Sequence, residues 1–241
     1  MVIDGVMRSY TFGPNSIAII GRQPKLSEQP ERAIDQAELL GAKKDKVARL
    51  IVASGFDAPG HKLIVHNVYD KISEADGVLL TERKAAGVIQ TADCAALALY
   101  DEVSGNVVLA HAGRPALTPT GHCKSCTVVA NALHALIGNR TNLEGVHAIV
   151  VGNICGKCFK HDHKDAKHLI EPFMSYPESV FADRELGALD LFQVIKHMMM
   201  HAGVPEENIQ HEGACTLETL TLSSYRGGDH SRNTIIVNRH Q

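Results

Sequence analysis

Thr91-Ala92-Asp93-Cys94 opens the stretch around which this chain is arranged. It runs through an apolar segment, Ala95 to Tyr100, a polar turn, Asp101-Glu102-Val103-Ser104-Gly105, and a second apolar segment, Val107 to Ala110, to close on His111-Ala112-Gly113. Two apolar runs around a polar, glycine-containing turn predict a β-hairpin. If Asp101 faces Asn106 across a four-residue loop, Cys94 lies opposite Gly113 and Ala96 opposite His111. Cys94 and His111 then share one face as diagonal neighbours, with Cβ atoms roughly 5.5 to 8 Å apart. That is close enough to ligate one metal ion, or for the imidazole to poise the thiol. A slip of one residue would send them to opposite faces. Asp93 points away from Cys94 on an ideal strand, so a role beside it requires a bulge or a strand end.

Outward from the hairpin, residues 6–12 and 16–20 read as β-prone runs joined by the turn Gly13-Pro14-Asn15. Ser27 reads as the cap of a helix from Glu28 to Leu40 that carries Arg32. Strands are expected over 47–53, 62–65, with His66 following, and 75–81, and Gly87 as the start of the central hairpin. Thr127 to Ile137 has an amphipathic helix pattern stopped by Gly138, Val146 to Val151 is an apolar strand, and residues 159–182 read as an irregular, solvated segment containing His161, His163 and His168. Asp190 caps a helix from Leu191 to Ala202 that ends at Gly203. Residues 208–211 and 234–237 are the last expected strands, and Cys215-Thr216 and Ser223-Ser224-Tyr225-Arg226 interrupt them with groups a loop would present to a ligand.

The 241 residues are read as one domain, 1–241, of mixed α+β type. A net charge of −3 with no Lys/Arg stripe argues against nucleic acid as a partner. No apolar run is long enough for a membrane span, and Asp4 interrupts the apolar N-terminus, so the expectation is a cytoplasmic protein, monomeric or homodimeric. Six cysteines are few for a disulfide scaffold in a chain this long, and four of them form Cys-x-x-Cys pairs.

Two constellations carry chemistry. His66, Cys94 and His111 are a sound zinc set whose fourth position would stay open for water or substrate; the bland alternative is three unrelated polar residues near strand ends. Cys123-x-x-Cys126 and Cys155-x-x-Cys158 would together supply four thiolates to a structural zinc, or else act as separate thiols or a redox pair. Walker, dinucleotide-binding and nucleophile-elbow motifs are all absent.

The order of Ala75-Asp76-Gly77, Thr91-Ala92-Asp93-Cys94, His111-Ala112-Gly113, Asp190-Leu191, Cys215-Thr216 and Ser224-Tyr225-Arg226 resembles the YfiH family, named for multicopper polyphenol oxidase or laccase domains and associated with zinc-dependent purine nucleoside phosphorylase and adenosine deaminase activity. The resemblance runs from about Gly13 to the C-terminus. It implies mixed β-sheets packed together and flanked by helices, similar in architecture to cysteine-hydrolase-like toxins. It also implies that His66 joins Cys94 and His111 as a metal ligand, that Asp93, Cys94, His111 and Arg226 serve catalysis, and that Arg32, Arg114 and Arg226 meet substrate. Zinc is the implied metal, with copper ranked below it because multicopper oxidation needs paired histidine arrays. Purine nucleoside and phosphate are the implied ligands. The chain departs from the family pattern at Ile64, at Arg114-Pro115-Ala116 and at Gly227. A metal-free cysteine hydrolase or amidase using Cys94 and His111, and a non-catalytic zinc-binding protein, are the alternatives.

Overall fold

The computed structural model describes residues 7–51, 63–69, 72–119 and 127–240. In chain order its strands are β1 (Met7–Phe12), β2 (Asn15–Gln23), β3 (Val47–Ile51), β4 (Ile64–His66), β5 (Ile72–Glu74), β6 (Gly77–Leu80), β7 (Ala85–Thr91), β8 (Ala95–Asp101), β9 (Val107–Ala112), β10 (Val146–Val151), β11 (Phe181–Asp183), β12 (Ala188–Leu189), β13 (Ile209–His211) and β14 (Arg232–Arg239). The α-helices are α1 (Pro30–Leu39), α2 (Arg114–Leu117), α3 (Val128–Ile137) and α4 (Leu191–Ala202).

Two mixed sheets, ordered β1-β2-β14-β7-β3-β5 and β13-β10-β8-β9-β6-β4, stack face to face. The interface between them is one apolar core, in which Ile17, Ile19, Leu50, Ile89 and Ile235 of the first sheet meet Val78, Leu80, Ala96, Ala98 and Leu109 of the second. α1 covers the outer face of the first sheet through Ala33, Ile34 and Ala37. α3 and α4 cover the outer face of the second through Val129, Leu133, Val194 and Ile195. The result is a four-layer α/β/β/α arrangement. Every residue of β8 and β9 is buried, which explains why these strands read as continuous apolar runs rather than alternating ones: both faces are covered.

The β8–β9 register pairs Ala95 with Ala112, Ala96 with His111 and Tyr100 with Val107, as the hairpin reading expects. β10 and α4 match their expected ranges, and Asp190 caps α4 by accepting from the Gln193 N–H. Thr127 caps α3 in the same way through Ala130. Elsewhere the structure differs. α1 starts at Pro30 with Gln29, not Ser27, at its cap and no side-chain bond there, because proline's fixed φ suits the first turn and needs no N–H partner. Residues 85–91 are not the start of the central hairpin but a strand of the opposite sheet, paired antiparallel with β14 and parallel with β3. The expected loop at 55–60 lies outside the described residues.

Candidate active site

Thr91-Ala92-Asp93-Cys94 is the crossover between the sheets: β7 ends at Thr91 in one and β8 begins at Ala95 in the other. The chain turns there through Asp93, whose φ of 80° lies in the left-handed region that non-glycine residues seldom adopt. This turn brings Asp93 inward, as an ideal strand would not. Its two carboxylate oxygens accept from the Thr216 hydroxyl at 2.7 Å and the Arg226 N–H at 2.8 Å, and its carbonyl accepts from the Ile154 N–H at 3.0 Å. Asp93 therefore ties together the crossover, the loop after β10 and the loop before β14.

Cys94 and His111 lie on the inter-sheet face, in step with Ala96 and Leu109. They close on the unsubstituted Cα of Gly113. A Cβ built on Gly113 would lie 2.8 Å from Cys94 Sγ, 2.8 Å from His111 Cε1 and 3.2 Å from its Nε2, so the sulfur and the imidazole share the space that glycine leaves vacant. The His111 N–H is held by the Asp76 carbonyl at 2.7 Å. Burial pushes the His111 imidazole down to about 4, and burial with the nearby Asp93 charge pushes the Cys94 thiol up to about 11. At neutral pH the pair is an uncharged imidazole beside an uncharged thiol. A cation arriving there meets a nitrogen ready to bind and a sulfur that binds on losing its proton.

The pair opens into a cavity of about 310 Å³ that is also lined by Asp93, Arg114, Phe159, His161, Tyr225 and Arg226. Arg114 is buried at the start of α2, with Nη1 donating to the Leu169 carbonyl at 3.2 Å; burial lowers its pKa. Arg226 stacks its guanidinium 4.6 Å from the centre of the Phe159 ring and donates to the Lys160 carbonyl at 2.8 Å. Two guanidinium groups and an apolar wall of Phe159, Leu169 and Pro115 thus face one space.

His161 is a residue that the sequence reading assigned to a solvated loop. It is 3% exposed, and its Nδ1 donates to the Gly187 carbonyl at 3.0 Å. Burial lowers its pKa, so the neutral ring keeps Nε2 as an acceptor. Three 3₁₀ turns, at Lys164–Leu169, Glu171–Phe173 and Glu178–Val180, organise the segment around it. Histidine among lysines and aspartates gives no local sign of burial.

His66 and Arg32 are not brought to this cavity. His66 pairs with Leu79, and Leu79 with Val108, both on the helix-covered face. His111 is three residues further along β9 and on the other face, so His66 is separated from it by roughly 10 Å along the strands and about 10 Å across them. His66 instead lines a hollow with Asn131 and His134 of α3. Arg32 lines a shallow hollow beneath α1 with Gln29, Gln90 and Thr234. Cys123 and Cys126 lie outside the described residues. Among the described residues, three or more His, Cys, Asp or Glu donors gather at one place, formed by Cys155, Cys158, Cys215 and Glu218.

Residues 42–236 match the family model described as multi-copper polyphenol oxidoreductase laccase. A purine nucleoside phosphorylase of Campylobacter jejuni is 24% identical over 168 residues, 69% of this chain and 67% of that protein. One from Streptomyces coelicolor is 28% identical over 159 residues, 64% of this chain and 60% of its own length. One from Streptomyces griseus is 28% identical over 140 residues, 52% of each. The chain thus spans between about half and two thirds of these relatives. Among solved structures, a Neisseria meningitidis protein superimposes with a TM-score of 0.74 at 18% identity, covering 98% of this chain and 99% of that one. The YfiH protein of Bacillus licheniformis gives 0.73 at 17% identity, covering 93% and 92%. These likenesses carry the fold.

Proposed function

The chain belongs to the family of the multi-copper polyphenol oxidoreductase laccase model, and from that premise we propose that it is a purine nucleoside phosphorylase, cytoplasmic, whose Cys94 and His111 hold a zinc ion. The observation that carries this reading is the convergence of Cys94 Sγ and His111 on the bare Gly113 Cα at the floor of a cavity that two arginines enter. The names of the curated relatives support the substrate class. A thiol and a neutral imidazole sharing one vacant space suit zinc, and zinc bound there would supply Lewis acidity toward a phosphate or water oxygen.

The chain's own groups perform the rest. Arg114 and Arg226 would bind phosphate through charge-assisted contacts and orient it toward the glycosidic carbon. Phe159, Leu169 and Tyr225 would sandwich the purine and exclude water. Asp93, by holding the Arg226 backbone and Thr216, would keep the anion side of the cavity in register with the floor. With water in place of phosphate, the same cavity would support loss of the amino group from adenosine. A metal-free cysteine hydrolase needs a thiolate beside an imidazolium, and burial drives both groups the opposite way. The multicopper reading needs histidine arrays, and the one donor cluster of three or more among the described residues contains no histidine.

The test is incubation of the purified protein with adenosine or inosine, with and without phosphate, and mass analysis of the products. Free base with ribose 1-phosphate is expected; no conversion of either nucleoside would end the proposal and leave a non-catalytic zinc-binding protein. Zinc content of His161→Ala and His66→Ala, measured side by side, identifies the third protein ligand. Loss in His161→Ala names His161, which lines the same cavity; loss in His66→Ala means that β4 presents its other face, as a one-residue shift against β6 would do.

A further inference from the structure

Beside the cavity, and separate from its floor, Cys155, Cys158, Cys215 and Glu218 bring one donor atom each within 4.8 Å of one another. We propose that these four residues form a second, structural zinc site that clips the loop after β10 to the loop before β14.

The geometry suits tetrahedral zinc. Bond lengths of about 2.3 Å to sulfur and about 2.0 Å to oxygen set donors roughly 3.5 to 3.8 Å apart. Glu218 offers Oε1 at 3.6 Å from Cys158 Sγ and Oε2 at 4.0 Å from Cys155 Sγ. The Cys155 N–H donates to Cys215 Sγ at 3.3 Å, a bond that strengthens as the sulfur becomes a thiolate. The Cys155-Gly156-Lys157-Cys158 turn is closed by the Cys158 N–H on the Cys155 carbonyl at 3.0 Å. It is anchored at Gly156, where a Cβ would lie 2.9 Å from Asp190 Cβ at the head of α4. Three thiolates select a thiophilic ion, and four protein donors leave no open position, which distinguishes a structural from a catalytic zinc. Binding releases the three thiol protons to solvent and leaves a net charge of −2 on the four donors and the ion, beside Lys157 within the turn.

The two loops it joins are the cavity's wall. Phe159 directly follows Cys158 and carries the Arg226 guanidinium, while Thr216 directly follows Cys215 and donates to Asp93. The clip thereby holds Arg226 from one side as Asp93 holds it from the other.

The chain has six cysteines, so the variant Cys94→Ser/Cys123→Ser/Cys126→Ser retains thiols only at Cys155, Cys158 and Cys215. Titrated with cobalt(II), it is expected to bind one ion per chain with thiolate-to-cobalt absorption about three times that of a single thiolate, and to lose the absorption when zinc is added. Adding Glu218→Gln is expected to weaken cobalt binding by at least the roughly 10- to 100-fold that losing a partner of a metal ligand costs. Weak binding without thiolate absorption, or a Cys155–Cys158 disulfide in protein prepared under reducing conditions, overturns the proposal. Native mass spectrometry of the otherwise unaltered chain provides the check that does not depend on the cysteine variants folding. Glu218 is exposed, and Glu218→Gln should lower zinc occupancy by up to one ion per chain on dilution into a competing chelator; unchanged occupancy rejects the site. Neither readout depends on nucleoside turnover.

Discussion

The two ends of the β8–β9 hairpin are chemically opposite. At the turn, Asp101 is fully buried, and its carboxylate accepts from the Ser104 N–H at 2.9 Å and hydroxyl at 2.6 Å and pairs with Arg140. Burial alone would raise its pKa, but Arg140 and Ser104 outweigh burial and hold it below the ordinary 3.8. At the open end, burial moves Cys94 up and His111 down, and both stay neutral. The same strands thus carry a completed charge at one end and a pair of neutral metal-binding groups at the other. The completed end contributes stability; the neutral end keeps donors that a cation can recruit.

The largest effect expected from this contrast is at Gly113. Gly113→Ala puts a methyl into the space shared by Sγ and the imidazole and displaces one of them. Since misplacement by about 1 Å costs on the order of 100-fold, phosphorolysis should fall by at least that factor and the zinc at Cys94 and His111 should be lost. The cobalt spectrum of the three-cysteine cluster should persist. Full turnover in Gly113→Ala would show that the convergence has no chemical use.

Next is Arg226→Ala, which removes a charge-assisted anion contact but keeps the backbone bond to Asp93. A loss of about 1.5 to 3 kcal/mol corresponds to a roughly 10- to 150-fold fall in phosphate-dependent kcat/KM, with zinc content unchanged. Arg226→Lys should recover part of it, because an ammonium lacks the planar fork. Equal rates in all three proteins would make Arg226 a surface arginine.

The smallest effect belongs to the turn end. Arg140→Ala leaves the Asp101 carboxylate with Ser104 alone, and urea unfolding should report a loss of about 1 to 3 kcal/mol with activity per folded molecule unchanged. The acid limb carries the sign. Because the folded-state pKa of Asp101 is depressed, its contribution is complete above 3.8 and is lost as pH falls through the lower folded value. Arg140→Ala should move acid unfolding to higher pH; an unmoved midpoint would mean that Arg140 does not hold the charge.

Local chemistry made much of the scaffold legible. α4 and β10 could be read to the residue because a capping aspartate, a terminating glycine and an unbroken apolar run are signals within a few residues. The hairpin register followed from turn length and the two-residue period, and with it the shared face of Cys94 and His111. Residues 85–91 misled because their apolar run continues toward the Thr91 motif, while the change of sheet between Thr91 and Ala95 has no sign in composition. The partners of Cys155 and Cys158 were not legible either: they meet Cys215 and Glu218, which a loop about sixty residues later folds back to them.

By itself the sequence determined which residues carry donors, where helices stop, and how β8 faces β9, since each depends on neighbours in the chain. Which face β4 presents, and hence the distance of His66 from His111, was decided only by the partner strand that β4 pairs with. So was the burial of His161 against Gly187. Both depend on contacts between segments distant in the chain, and the apolar periodicity that selects a buried face does not say which of two covered faces it will be.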